Sequence, residues 1–145
     1  MEAKDDFLTI LKDLMDEKEL SFEKLSAKIN INPRTMRRWK ENCNPKLSSL
    51  LKLSEFFDCS LDYLFGFTNE FARHVSAVPT TFLTRYNQLK EEKHLKDYHI
   101  CKLCDVASST ISEWHEGIEP ELPILLKLRN LFGCSLDYLA GISDF

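Results

Sequence analysis

The chain contains few of the residues that interrupt helices, with 4 glycines and 5 prolines among 145 residues. It also lacks any run of about 18 apolar residues, the length that a membrane-spanning helix needs. Its first ten residues, MEAKDDFLTI, are acidic and contain no long apolar stretch, which argues against a secretory signal peptide. We therefore expect a cytoplasmic protein with no membrane attachment.

The sequence also lacks the patterns that carry catalysis or bind cofactors. It has no glycine-rich phosphate loop and no obvious carboxylate pair for acid–base chemistry. Because we expect a cytoplasmic protein, we expect its five cysteines to lie in a reducing compartment, where disulfides are rare. Cys101 and Cys104 have the spacing of a zinc half-site, but no second pair of ligands follows at a suitable distance. We expect no enzyme, no metal, no cofactor and no small-molecule ligand.

What the sequence does contain is a repeat at a fixed offset of 75 residues. The segment CSLDYLFG, which begins at Cys59, returns as CSLDYLAG at Cys134. Without a gap, about two dozen of 64 positions are identical when residues 7–70 are aligned with residues 82–145. A repeat of this length predicts two copies of one small fold.

Each repeat is predicted to be all-helical, with five helices. In the first repeat we expect helices over residues 5–18, 22–29, 33–41, 47–57 and 61–66. Ser21, Asn32 and Ser60 are suited to cap helices, and Asn30 is suited to a left-handed turn. Asn42 and its counterpart Gly117 are likewise suited to a left-handed helix end.

The division into domains follows from the repeat. We expect a first domain over residues 1–66, a linker over residues 67–80 and a second domain over residues 81–145. Phe67, Phe71 and Val75 recur at every fourth position, which favours a short helix around residues 69–75 that packs between the domains.

Residues 22–41 fit a helix-turn-helix motif. Such a motif needs apolar residues at set positions, and the first repeat provides Leu25, Ile29, Ile31, Met36 and Trp39. Ser26 provides a small residue where the two helices cross, and Asn30 provides the turn. The second repeat fits in the same alignment over residues 97–116, with Cys101 at the small position and Asp105 at the turn.

Each repeat thus resembles the five-helix DNA-binding domain of the phage lambda repressor/Cro (XRE-type) family. The stretches that carry the resemblance are LSAKININPRTMRRWKEN, LSSLLKLSEFFDCSLDYLFG and their copies. The resemblance implies a bacterial or phage regulator that places its third helix in the major groove. The family usually has glycine at the turn, where this chain has Asn30 and Asp105. The family often has a polar amide early in the third helix, where this chain has Pro33 and Ser108, so base preference does not transfer.

The two repeats differ in charge on the surface that this motif would present to DNA. Residues 32–46 carry a net charge of +4, from five basic residues and Glu41. Residues 107–121 contain no lysine or arginine and carry a net charge of −4. Because DNA is a polyanion, the first repeat is predicted to attract it and the second to repel it.

The candidate DNA contacts follow from this asymmetry. Arginine binding to guanine is the commonest base-specific contact, so the predicted base readers are Arg34, Arg37 and Arg38. The predicted phosphate contacts are Lys24, Lys28, Thr35, Lys40 and Lys46. In the second repeat, the residues that could still touch DNA are Lys96, Lys102, Ser109 and Ser112.

We therefore predict a sequence-specific binder of double-stranded DNA that acts as a transcriptional regulator, and as a repressor in particular. The alternative is a protein-interaction adaptor, like an antitoxin or an antirepressor, that reuses two repressor-like folds. The tandem copies could read DNA as a covalent pseudo-dimer, or the first repeat could form a homodimer that reads two half-sites. The difference in charge between the repeats favours the homodimer.

Overall fold

The computed structural model describes residues 3–145, and side chains from residue 6 onward. The chain is all-helical, with ten α-helices and no strand within the described part. It divides into two compact units, which we call the first unit (Met1–Arg73) and the second unit (His74–Phe145). Each unit contains five of the helices.

The helices of the first unit lie close to the predicted positions. They are α1 (Ala3–Glu17), α2 (Phe22–Ile29), α3 (Pro33–Arg38), α4 (Leu47–Phe57) and α5 (Leu61–Leu64). The third helix is shorter than predicted, because the amides of residues 39, 40 and 41 each bond to the carbonyl three residues earlier. Such bonds tighten the chain into a 3₁₀-like turn, which ends the α-helix at Arg38.

Three of these helices begin at the capping residues that the sequence predicts. The Ser21 hydroxyl accepts from the Lys24 amide at 3.2 Å, and the Asn32 side chain accepts from the Arg34 amide at 2.8 Å. The Ser60 hydroxyl accepts from the Tyr63 amide at 3.0 Å. Each bond satisfies an amide that the first turn of a helix leaves without a backbone partner.

The turns between helices rely on the left-handed conformation. Asn30 has φ 56° between α2 and α3, and Asp58 has φ 53° after α4. The prediction for Gly117 is confirmed by its φ of 98°, whereas that for Asn42 is wrong. The Asn42 amide instead bonds to the Arg38 carbonyl at 2.8 Å, which continues the right-handed turn after α3.

An aromatic group forms the centre of the first unit's core. The Phe7 ring stacks on Phe65 with 5.0 Å between centroids and meets the edge of Trp39 at 5.8 Å. All three side chains are buried, as is Met36 from the same helix region as Trp39. The core therefore fixes the inner side of α3.

The second unit repeats the order of elements. Its helices are α6 (Phe82–Glu92), α7 (Asp97–Cys104), α8 (Ser108–His115), α9 (Leu122–Phe132) and α10 (Leu136–Leu139). Phe82 and Tyr86 pack on the Trp114 ring, with centroids 5.4 and 5.3 Å from it. Trp114 thus occupies the core of the second unit as Trp39 occupies that of the first.

The predicted short helix around residues 69–75 is not formed. Residues 65–80 contain no helix, and this segment is divided between the two units. In the first unit, Ser60 donates its amide to the Phe71 carbonyl at 3.0 Å. In the second unit, the amides of Ser76 and Thr80 donate to the carbonyls of Ile142 and Gly141 at 2.7 and 2.8 Å.

The apolar residues that suggested this helix have other contacts. The Phe71 ring packs against Tyr63 at 5.0 Å, and the Phe67 ring stacks on Phe65 at 6.2 Å. Val75 is 52% exposed. The backbone hydrogen bonds that this segment forms in each unit outweigh a seven-residue helix, which is too short to be stable alone.

Candidate nucleic-acid interface

The helix-turn-helix of the first unit consists of α2, three connecting residues and α3. Leu25, Ile29, Met36 and Trp39 are buried beneath it, as the motif predicts. Ser26 is also buried and donates its hydroxyl to the Glu23 carbonyl at 2.8 Å. A small side chain that satisfies its own hydroxyl allows the two helices to approach closely at this point. The inner sides of both helices are therefore fixed.

The outer face of α3 carries the predicted base readers. Arg34, Arg37 and Arg38 are all exposed, and so is the predicted phosphate contact Thr35. Met36, between them in sequence, is 0% exposed. This alternation follows from the helical period, which turns residues 34, 37 and 38 to one side while residue 36 faces the core.

The structure reveals a contact on this face that the sequence did not predict. Arg37 donates Nη2 to Oε1 of Glu23, in the first turn of α2. The hydrogen bond from Arg37 is the main reason that the pKa of Glu23 lies below its usual value. An acidic residue in the first turn of a helix is usually explained by the helix dipole, so no sequence pattern indicates its pairing with an arginine 14 residues away.

The predicted phosphate contacts lie on several elements. Lys24 and Lys28 are exposed on α2, and Lys46 is exposed at the start of α4. The Lys40 ammonium lies 4.8 Å from the centre of the Phe22 ring, a cation–π contact that holds its long side chain near α2. All four lysines are therefore available at the surface of the first unit.

A groove of about 570 Å³ brings part of this set together. Its walls include Thr35, Arg38 and Lys46 from the predicted set. They also include Lys52 of α4, which was not predicted and which donates Nζ to the Asn30 carbonyl at 3.2 Å. Lys24, Lys28, Arg34 and Arg37 do not line this groove. The repeat could have indicated Lys52, because a lysine recurs at the corresponding position 127. In the structure, Lys127 likewise donates to a turn carbonyl, that of Cys104, at 3.2 Å.

The corresponding surface of the second unit has a different chemistry. Its predicted contacts Lys96, Lys102, Ser109 and Ser112 are all exposed, and Ser112 donates its hydroxyl to the Ser108 carbonyl at 3.2 Å. Glu113, Glu116 and Glu121 are exposed in the same region.

The cysteines have the character of packing residues. None of the five forms a disulfide, and Cys43, in the loop before α4, is only 8% exposed. Cys104 is buried, and this burial raises the pKa of its thiol. Within the described residues, no three histidine, cysteine or acidic side chains are grouped so that they could hold a metal ion.

Comparison with known families finds a likeness within the first unit. Residues 11–70 match the family of Cro/C1-type HTH DNA-binding domains. Over these 60 of the 145 residues, the first unit is similar to a Cro/C1-type helix-turn-helix domain. The match contains α2, α3, α4 and α5 in full, so the exposed arginines of α3 lie within the matched residues.

A Cro/C1-type domain supports a role as a DNA-binding transcriptional regulator with double-stranded DNA as its partner. No curated protein and no solved structure matches the chain. Within the described residues, no helix is long and apolar enough to cross a membrane.

Proposed function

We propose that this protein is a sequence-specific transcriptional repressor that reads double-stranded DNA with α3 of its first unit. The observation that carries the proposal is the exposed arginine face of α3, which lies above the buried side chains of Met36 and Trp39. A rigid helix that presents guanidinium groups at fixed positions is suited to the acceptor pair O6 and N7 of guanine in the major groove.

The surrounding residues would hold the DNA backbone. Thr35 and Lys46 share a groove with Arg38, so a phosphate beside a base contacted by Arg38 would lie within their reach. Lys24, Lys28 and Lys40 extend the positive surface along and beside α2. Contacts of this kind fix the position of a protein on DNA but carry little base information.

Selection of binding sites from random duplexes tests the proposal directly. Arg38→Ala should lose roughly 1–3 kcal/mol of specific binding and relax the preference at one base position. Lys40→Ala should weaken binding to all sequences and lower the salt dependence by about one phosphate contact. Lys12→Ala, which removes an exposed positive charge from α1, serves as the control and should leave site preference unchanged. An Arg38→Ala variant with unaltered affinity and preference would refute this assignment.

The selected sites would also report on assembly. A homodimer that reads DNA through two first units should select two half-sites with centres about 34 Å apart, one turn of the duplex. Repression is tested separately, by placing the selected site across a promoter and measuring reporter output. Binding that blocks the promoter should lower the output, whereas a rise would identify an activator.

A second candidate function rests on the second unit, whose surface favours a protein partner. Tyr98, Leu103 and Ile118 are 68%, 60% and 53% exposed. At the offset of 75, their counterparts in the first repeat are Glu23, Lys28 and Cys43. Exposed apolar side chains beside glutamates suit a basic protein partner better than a polyanion.

This adaptor function predicts that regulation and DNA binding can be separated. Tyr98→Ser and Ile118→Ser should leave the DNA affinity of the purified protein intact but abolish reporter regulation in cells. Retained regulation in both variants would remove the adaptor function. Glu113→Lys tests whether this face of the second unit lies near bound DNA, because the change should strengthen non-specific DNA binding only in that case.

A further inference from the structure

Arg37 differs from the other two arginines of α3 in having a partner on another helix. Its Nη2 atom donates to Glu23 of α2, although the side chains of Arg37 and Glu23 remain 54% and 58% exposed. Within residues 6–145, where side chains are described, Arg34 and Arg38 form no ion pair. The carboxylate of Glu23 therefore restrains one guanidinium of the set.

This restraint leaves most of the hydrogen-bonding capacity of Arg37 available. A guanidinium carries five N–H donors in one plane, and the bond to Glu23 uses one of them. The remaining donors still include a pair suited to the two acceptors of guanine. Because Glu23 limits the rotamers of Arg37 before DNA arrives, less conformational freedom is lost when the guanine is bound.

The carboxylate also has an effect of its own on DNA. A negative charge beside α3 repels phosphates, so it weakens binding to every sequence. A DNA site compensates for this repulsion only if it provides a guanine that binds Arg37. The hydrogen bond from Arg37, a backbone hydrogen bond at Glu23 itself and the positive charges of Arg37 and Lys40 lower the pKa of Glu23. A glutamate with an ordinary pKa is already ionised at neutral pH, so this carboxylate is negatively charged there.

We propose that Glu23 is a positioning and specificity-determining residue, which aims Arg37 at a guanine and lowers the affinity of the protein for non-cognate DNA. This inference rests on the proposed function, because it assumes that α3 reads the major groove. It assigns to a residue of α2 a role in base discrimination that does not require Glu23 to touch a base.

The test compares variants of the full chain in site selection and in titrations at several salt concentrations. Arg37→Ala first identifies the base position that Arg37 reads. Glu23→Ala should lower discrimination at that same position by about tenfold, and discrimination at the other positions should persist. Glu23→Ala should also bind random DNA several-fold more tightly than the wild type.

Two further variants separate the two effects of Glu23. Glu23→Gln removes the charge but keeps an oxygen that can accept from Arg37, so it should bind random DNA more tightly and retain part of the base discrimination. In the double variant Glu23→Ala/Arg37→Ala, discrimination at the position should equal that of Arg37→Ala alone. Glu55→Ala, which removes an exposed carboxylate from α4, controls for the change in net charge.

The outcomes distinguish this inference from the proposed function. If Arg37→Ala relaxes one position and Glu23→Ala does not, the positioning role is wrong although the helix still reads DNA. If Glu23→Ala increases non-specific binding no more than Glu55→Ala does, the role against non-cognate DNA is wrong. If no arginine variant of α3 alters DNA binding, the proposed function itself fails. The fluorescence of Trp39 during urea unfolding, measured in a Trp114→Phe background, shows whether the first unit of each variant is folded.

Discussion

The guanidinium of Arg85 lies over the ring of Tyr138, with its central carbon 3.8 Å from the ring centre. Arg85 is only 7% exposed and donates Nη1 to the carbonyls of Tyr138 and Ser143 at 2.8 and 3.2 Å. This one side chain of α6 therefore holds α10 and the segment after it, within the second unit. The corresponding residue of the first repeat is Ile10, so the arrangement is particular to the second unit.

Arg85→Ala should lower the free energy of unfolding of the second unit by roughly 2–3 kcal/mol, since the buried Ser143 carbonyl and the partly buried Tyr138 carbonyl lose a charged donor. The chain has two tryptophans, one in each unit, so Trp39→Phe leaves Trp114 as a reporter of the second unit alone. Urea unfolding followed by Trp114 fluorescence gives the measurement. Lys102→Ala removes an exposed charge from α7 and should have little effect. Equal midpoints for the two variants would contradict the role of Arg85.

Gly141→Ala should destabilise the second unit more than Gly133→Ala. Both glycines have positive φ, at 88° and 62°, but a Cβ at Gly141 would lie 2.4 Å from the Thr80 carbonyl oxygen. At Gly133 no atom lies within 4 Å of the added Cβ, so only backbone strain of about 1 kcal/mol remains. Gly141→Ala adds the loss of the Thr80–Gly141 backbone bond, for a total of about 3 kcal/mol. The Trp114 signal compares the two variants, and a smaller effect at Gly141 would oppose this account.

Asn30→Ala should destabilise the first unit by about 1 kcal/mol, whereas Asn30→Gly should not. Asn30 has a left-handed φ of 56°, which asparagine tolerates better than alanine and which costs glycine nothing in side-chain contacts. The Lys52 bond to residue 30 uses a backbone carbonyl, so both variants keep it. Trp39 fluorescence in a Trp114→Phe background measures the difference. Asn30→Gly should also retain DNA binding, because the turn between α2 and α3 is unchanged.

Asp97 should make the stability of the second unit depend on acid pH. Partial burial alone would raise the pKa of Asp97, but hydrogen bonds from Lys90 and Tyr86 outweigh it and lower the pKa below its usual value. A lowered pKa in the folded state gives stability that is present above the unfolded pKa of about 3.9 and is lost as the pH falls below it. Unfolding midpoints measured from pH 6 downward should therefore fall near that value.

The Asp97→Asn variant should show a weaker fall in stability over this acid range. Tyr86→Phe, which removes one donor to Asp97 at 2.9 Å, should show an intermediate effect. Asp144→Asn, an exposed position in the same unit, is the control and should behave as the wild type does. A pH profile of Asp97→Asn that is identical to the wild type would rule out this source of acid sensitivity.

Local sequence predicted the helices well, because the signals for them lie within a few residues. Ser21, Asn32 and Ser60 cap the helices that they were expected to cap, and α2 and α4 have the predicted bounds. The helical period also placed Met36 in the core and the arginines of α3 outside it. The predicted extent of α3 is too long, because local sequence signals do not show that the chain tightens into bonds between residues three apart after Arg38.

The sequence by itself determined the pattern of helices, the left-handed turn at Asn30 and the positive charge of the α3 region. These features depend on short-range rules of capping, periodicity and composition. Only the tertiary structure decided that Glu23 holds Arg37, that Arg85 holds the end of the second unit, and that residues 67–80 form no helix. The two contacts join groups that are distant along the chain, and the missing helix reflects a local preference that is too weak to prevail. Such features depend on the folded structure and not on short-range sequence rules.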